Sequence, residues 1–257
     1  MVRRNFYIPL VIGLLLSFGA KAQLLPTYGE ERAGLSAFTF LKLPIDPAST
    51  GVGGASLAMT DHSFGALINP ALISGGNQQG VFSANRALGG GINHDFVALT
   101  KARENGQHIA LTLNSLSTGS ILERTVWQPE GTGATTSAAL TCVGLGVSQA
   151  FSEYFHAGVQ LKYGLEQLGV YRAHNVYLDL GFLYKLDIAD LQFAAALTNF
   201  GPNTPLSNMP EGQESALAAT PQMFSMGIQW TAWEQGDHSL TPSLQLNHPT
   251  DNAEFYA

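Results

Sequence analysis

Three consecutive residues, Asp61, His62 and Ser63, carry the side-chain types of a hydrolytic triad. A triad works only when acid, imidazole and hydroxyl lie head to tail within hydrogen-bond reach, which adjacent residues do not achieve. The tripeptide reads instead as the polar start of a helix, with Asp61 as its cap. Just upstream, Gly51, Gly53 and Gly54 have the density of a phosphate cradle. Yet the chain offers neither G-x-G-x-x-G after a strand nor a glycine loop ending in Gly-Lys-Ser/Thr. Glycines here serve tight turning and close backbone approach. The other histidines, at 94, 108, 156, 174, 238 and 248, show no metal-ligand spacing. Cys142 is the single thiol, with no partner for an intramolecular disulfide and no histidine near it in sequence to activate it. The reading is a non-enzymatic chain with no catalytic residue, no cofactor and no metal.

These residues belong to one stretch, Thr50–Ser74, in which a glycine-rich turn leads into an alanine-rich helical pattern and then Asn69-Pro70-Ala71-Leu72. Phe64, Leu67, Ile68 and Leu72 fall close to one helical face, and Pro70 ends that turn or starts the next. From Val81 onward the period changes to two. Ile109, Leu111 and Leu113 alternate with polar or small neighbours, as do Val143, Leu145 and Val147. So do Val159, Leu161, Tyr163 and Leu165, then Leu178, Leu180, Phe182 and Tyr184, then Phe224, Met226, Ile228 and Trp230. Such alternation predicts about ten strands, each with one apolar face and one polar or small face.

Two architectures use such strands. A soluble sandwich turns the apolar faces to its core, whereas a membrane barrel turns them to lipid and lines its lumen with the others. The barrel suits the strand lengths, about ten residues, which cross a bilayer when tilted. It also suits the aromatics Tyr154, Phe155, Tyr184, Phe200, Trp230 and Trp233 near strand ends, placed as in an interfacial girdle. Short connections at Ser152-Glu153, Asp187–Asp190 and Glu234–Asp237 alternate with longer ones at 128–136, 167–172 and 201–221. The small inward set leaves room for a plug. Gln160, Lys162, Glu166, Asp179 and Lys185 then form a packing and hydrogen-bonding network within the lumen.

Composition agrees. Only 12% of the 257 residues are charged, against about 25% in an average soluble domain. Residues 1–22 have the form of an export signal: Arg3 and Arg4, an apolar run from Phe6 to Phe18, and Ala20-Lys21-Ala22. The run is interrupted by Pro9 and Gly13 and falls short of the ~20 residues needed to span a bilayer as a helix. Its removal takes Arg3, Arg4 and Lys21, lowering the basic residues from 12 to nine against 19 acidic ones. An exported acidic chain is a poor ligand for nucleic acid, which demands a basic patch.

Gly51-Val52-Gly53-Gly54-Ala55, Asp61 and Asn69-Pro70-Ala71-Leu72 resemble the N-terminal signature of the PorV/PorQ family of outer-membrane β-barrels. Phe40-Leu41-Lys42-Leu43-Pro44 and the segment from Leu246 to Glu254 are also similar to parts of such proteins, so the likeness spans the mature chain. Val52 stands where the family often has methionine, and Ile68 where an aromatic commonly precedes Asn-Pro-Ala. The resemblance implies an all-β, transmembrane antiparallel barrel of FadL-like fold, about 14 strands when complete, with a short N-terminal helical plug. It implies a place in the outer membrane of a Gram-negative bacterium, of the Bacteroidota type. The partners it implies are outer-membrane lipid, other subunits of the type IX secretion system and cargo bearing C-terminal signal domains. The organisation expected is a signal peptide at 1–22, a lead and plug segment at 23–80, and barrel strands at 81–257 that are incomplete at the C-terminus. A FadL-like channel for hydrophobic small molecules is the alternative, and a secreted soluble all-β domain a third.

Overall fold

The computed structural model describes residues 36–60, 64–76, 79–205 and 217–249, with the backbone of Phe255–Tyr256. The expected signal peptide and Asp61, His62 and Ser63 lie outside the described residues.

The described residues form sixteen strands: β1 (Gly80–Gly89), β2 (Ile92–Ala102), β3 (Gln107–Ser117), β4 (Ile121–Leu122), β5 (Thr135–Thr136), β6 (Ala138–Ala150), β7 (Phe155–Leu168) and β8 (Tyr171–Lys185). After these come β9 (Gln192–Phe200), β10 (Thr204–Pro205), β11 (Leu217–Ala218), β12 (Met223–Gln229), β13 (Trp233–Gln235), β14 (His238–Leu240), β15 (Ser243–Pro249) and β16 (Phe255–Tyr256). Ten of them make one antiparallel sheet in the order β1-β2-β3-β6-β7-β8-β9-β12-β15-β16; the other six pair as three small ribbons in the connections. The fold is all-β. Among the described residues the sheet does not close, since its edges β1 and β16 do not pair with one another.

Side chains of successive residues point to opposite faces, so register decides what each face carries. On one face Val81, Leu99, Leu111, Leu145, Leu161, Leu178 and Phe200 stand side by side across seven strands. A second row runs Ile109, Val147, Val159, Leu180, Leu197 and Phe224, with Lys101 and His248 at its ends. Most of this face is exposed: Leu145 and Leu161 each keep 56% of their surface. The opposite face is buried and carries many polar residues, among them His94, Thr112, Asn114, Ser148, Gln160, Asp179 and Ser225, alongside Phe96, Tyr177 and Leu183. The two apolar rows of the sheet thus point away from the packed interior, the reverse of a sandwich.

The packed interior lies between the polar face and the N-terminal segment. The described residues of that segment form a 3-10 turn at Thr39–Lys42 and three short helices, α1 (Pro47–Gly51), α2 (Gly65–Ile68) and α3 (Leu72–Gly75). Pro47 opens α1, where its fixed φ suits the first helical turn, and the Asp46 carboxylate accepts from Ser49 N at 2.7 Å. The single helical face predicted through Phe64, Leu67, Ile68 and Leu72 is instead split. Pro70 disfavours helical geometry at the residue before it, and Asn69 is extended at φ −150°, ψ 117°. Four apolar clusters bind the segment down. Phe38 and Phe40 sit with Cys142 and Tyr177, and Leu57 and Leu72 with Leu183 and Ala194. Ile45 packs on Phe96 and Ala98, and Ala66 and Ile73 on Ala110.

The connections differ from expectation in two places. The long loop expected at 167–172 is a two-residue turn, Gly169-Val170, because β7 and β8 pair as far as Leu168 and Tyr171. The short loop expected at Glu234–Asp237 is the tip of the β13–β14 ribbon within a longer connection, 230–242. At the end of the sheet where 151–154 and 186–191 turn, Phe151, Tyr154, Phe155, Tyr184 and Trp233 are exposed together. There the Tyr154 hydroxyl donates to Asp187 Oδ2 at 3.0 Å, and this bond raises the phenol's pKa above its ordinary value. The bond is therefore complete below pH ~10 and lost as the phenol ionises at higher pH. Ultraviolet titration of the chain against Tyr154→Phe should assign the latest-ionising exposed tyrosine to this position.

Candidate functional site

The residues singled out in the sequence lie in the N-terminal segment and fall into two groups. Gly51 ends α1, and Gly53 and Gly54 follow with φ of 65° and 89°, conformations that side chains rarely adopt. Gly54 N bonds back to Ser49 O at 2.7 Å, so the glycine cluster is a tight turn after a short helix. Asn69, Pro70 and Ala71 are buried against the sheet. The Asn69 amide nitrogen donates to Phe182 O at 3.2 Å and Leu57 O at 3.4 Å, and its Oδ1 accepts from Ala71 N at 3.0 Å. One side chain thereby ties together the segment's two halves and strand β8.

What receives Asn-Pro-Ala is a notch made by two glycines. Gly158 on β7 and Gly181 on β8 are direct cross-strand partners. A Cβ at Gly181 would overlap the Asn69 side chain, and one at Gly158 the backbone of Pro70. Both positions must therefore lack a side chain.

Each of the polar residues expected to form an internal network makes a hydrogen bond on the inner face, but only Lys162 and Asp179 meet one another. Lys162 Nζ lies 2.6 Å from Asp179 Oδ2 and donates to Asn199 Oδ1 at 2.5 Å. Asp179 Oδ1 accepts from Asn199 N at 2.7 Å. Asp179 sits where the β8–β9 register shifts, and Asn199 opposite it has a left-handed φ of 57°. The carboxylate thus satisfies the backbone N–H that the bulge leaves without a strand partner. Gln160 donates to Thr112, Glu166 accepts from Phe38 N, and Lys185 donates to Gly75 O. Three of these bonds anchor the N-terminal segment or brace the face beneath it; none aligns a nucleophile with a base and an acid.

One polar cluster was not legible in sequence. The hydroxyls of Ser74 and Ser148 share a 2.6 Å hydrogen bond, and His156 Nδ1 lies 3.3 Å from Ser74 Oγ. All three are buried, and Ser148 also donates to Ala71 O at 3.3 Å. The residues come from α3, β6 and β7, so no local spacing announces them. They fasten α3 to the sheet. Cys142 is buried on the inner face among Phe38, Phe40 and Tyr177. Among the described residues there is no cluster of three or more His, Cys, Asp or Glu able to hold a metal ion. No helix among them is long and apolar enough to cross a membrane.

A cavity of about 320 Å³ opens between the N-terminal segment and strands β7, β9, β12 and β15. Leu41, Leu43, Leu57, Leu67 and Ile68 form its apolar wall, and Thr198, Ser225, Gln245 and Asn247 its polar floor. Gly53 and Gly54 reach its rim, whereas Asn69, Pro70 and Ala71 do not line it.

Comparison with models of known protein families finds no match, and comparison with curated proteins finds none either.

Proposed function

We propose that this chain forms the wall and plug of an outer-membrane β-barrel that serves type IX protein secretion as a docking, shuttle or anchoring subunit. The observation that carries the membrane part is the outward face of the sheet, with seven apolar residues in one row across seven strands. Left in water, such a face exceeds the few hundred Å² of contiguous apolar surface that soluble monomers tolerate. Lipid removes that penalty, and the polar opposite face is what a lumen requires. Exposed aromatics gathered at one end of the sheet fit the bilayer interface. The secretion role rests on the resemblance of the Gly51–Ala55 and Asn69–Leu72 motifs, and on a plug whose side chains are fastened by several elements, as suits a scaffold.

Detergent-dependent folding and heat-modifiable gel migration are the expected results; a monodisperse protein without detergent would return the chain to the soluble all-β class. Within the barrel, Leu161→Arg near the middle of the leucine row should destabilise by about 2–4 kcal/mol in lipid, measured by urea unfolding in vesicles. A cost below 0.5 kcal/mol would remove lipid from that face. Pull-down from native membranes should recover secretion subunits or cargo carrying a C-terminal signal domain. The alternative, a FadL-like channel for hydrophobic molecules, is favoured by the cavity beside the plug. Uptake of such a molecule that disappears on deleting residues 50–74 would select it.

A further inference from the structure

The cavity under the N-terminal segment has a chemistry of its own. Ser225 and Asn247 are direct cross-strand partners on β12 and β15, both facing inward. The Ser225 hydroxyl is buried, with the residue 2% exposed, and has no hydrogen-bond partner. Asn247 Oδ1 accepts from Gln245 Nε2 at 2.8 Å, which orients its amide nitrogen as a donor. The other oxygen of this wall, Gln245 Oε1, is engaged by Leu57 N at 2.9 Å, fixing the floor to the segment above it. A buried polar group without a partner costs stability, so a hydroxyl left open beside a cavity marks a place where a ligand atom completes the bond. The charged groups at the cavity are equal in number: Lys162 is paired with Asp179, and the lining also holds Lys42 and Asp46.

We infer that this cavity binds a neutral amphipathic molecule, an apolar body with one carbonyl or hydroxyl that engages Ser225 and Asn247. The five aliphatic side chains of the segment enclose the body. An anion or cation would enter a site whose charges sum to zero, and would bear a desolvation cost that a neutral molecule avoids. A dry cavity of about 150 Å³ holds a benzene ring, so this one has room for about a dozen heavy atoms. The site is made wholly by the inner face and the segment, and stands whichever medium covers the outer face.

The test is calorimetric titration of the full chain with octanamide, octanoate and octylamine. The chain is held in lipid nanodiscs, or in buffer if it stays monodisperse there, with protein-free discs as the blank. Octanamide should bind saturably at one site, about tenfold or more tighter than either charged analogue. Ser225→Ala should weaken it by about three- to tenfold. Ser225→Leu fills the cavity and should abolish binding while near-ultraviolet circular dichroism stays unchanged. Octanoate or octylamine binding as tightly as octanamide overturns the inference, as does octanamide heat no greater than in protein-free discs. Undiminished binding to Ser225→Leu also overturns it. If that variant misfolds, Ser225→Ala decides alone, and an unchanged affinity there removes the site.

Discussion

Gly181→Val is expected to lift the N-terminal segment off the sheet. Its side chain would occupy the space of the Asn69 amide, and the surrounding strands are too tightly paired to yield. Overpacking of this kind costs about 1–3 kcal/mol by itself. Displacing Asn69 adds the loss of its bonds to Phe182 O, Leu57 O and Ala71 N, each buried group left without a partner costing about 1–3 kcal/mol. Asn69→Ala should reproduce the second part without the first. The readout is tryptic cleavage after Lys42, which should be slow in the parent chain and at least about tenfold faster in both variants, a shift of ~1.4 kcal/mol in the opening equilibrium. Gly51→Ala is the control, since a Cβ there meets nothing within 4 Å, and it should change stability by less than about 0.5 kcal/mol. A Gly181→Val chain as protected as the parent would show that Asn-Pro-Ala does not hold the segment down.

The second large effect is expected at Asp179. The residue is 2% exposed and neutralises Lys162, itself only 12% exposed. Removing one partner of a buried pair leaves an uncompensated charge, and Asp179→Ala should destabilise by about 3–5 kcal/mol. The bulge adds to this, because Asn199 N loses its acceptor. Lys162→Met in the Asp179→Asn background should recover part of the loss, since no charge is then buried and the amide oxygen still accepts from Asn199 N. A double-mutant cycle by urea unfolding measures the coupling, expected at about 0.5–3 kcal/mol. An Asp179→Ala cost under 1 kcal/mol would mean that water reaches the pair.

The strands were legible because alternation is local: Ile109, Leu111 and Leu113 declare a face without knowledge of any neighbour. The assignment of Gln160, Lys162, Glu166, Asp179 and Lys185 to an internal network followed from their phase opposite those apolar residues. Which of them meet did not, because Lys162 and Asp179 come from different strands and their meeting depends on register. The bulge at Asp179 was equally hidden, for nothing around Asn199 marks its left-handed backbone. The glycines on the inner face were read as room for a plug, yet the pairing of Gly158 with Gly181 beneath Pro70 needed both the register and the plug. The helical face through Phe64 and Leu72 failed because Pro70 outweighs hydrophobic spacing. Asp61, the expected cap, lies outside the described residues.

The glycine notch also imposes a sequence of events. Its two halves belong to β7 and β8, about 90 and 110 residues beyond Asn69, so the seat does not exist until those strands have paired. A slip of one residue would bring Val159 or Leu180 beneath Pro70 and close the seat. The N-terminal segment, made before those strands, is thus among the last parts to settle. Its docking certifies that the strands have met in the right alignment, and a misaligned sheet would leave it loose and open to proteolysis.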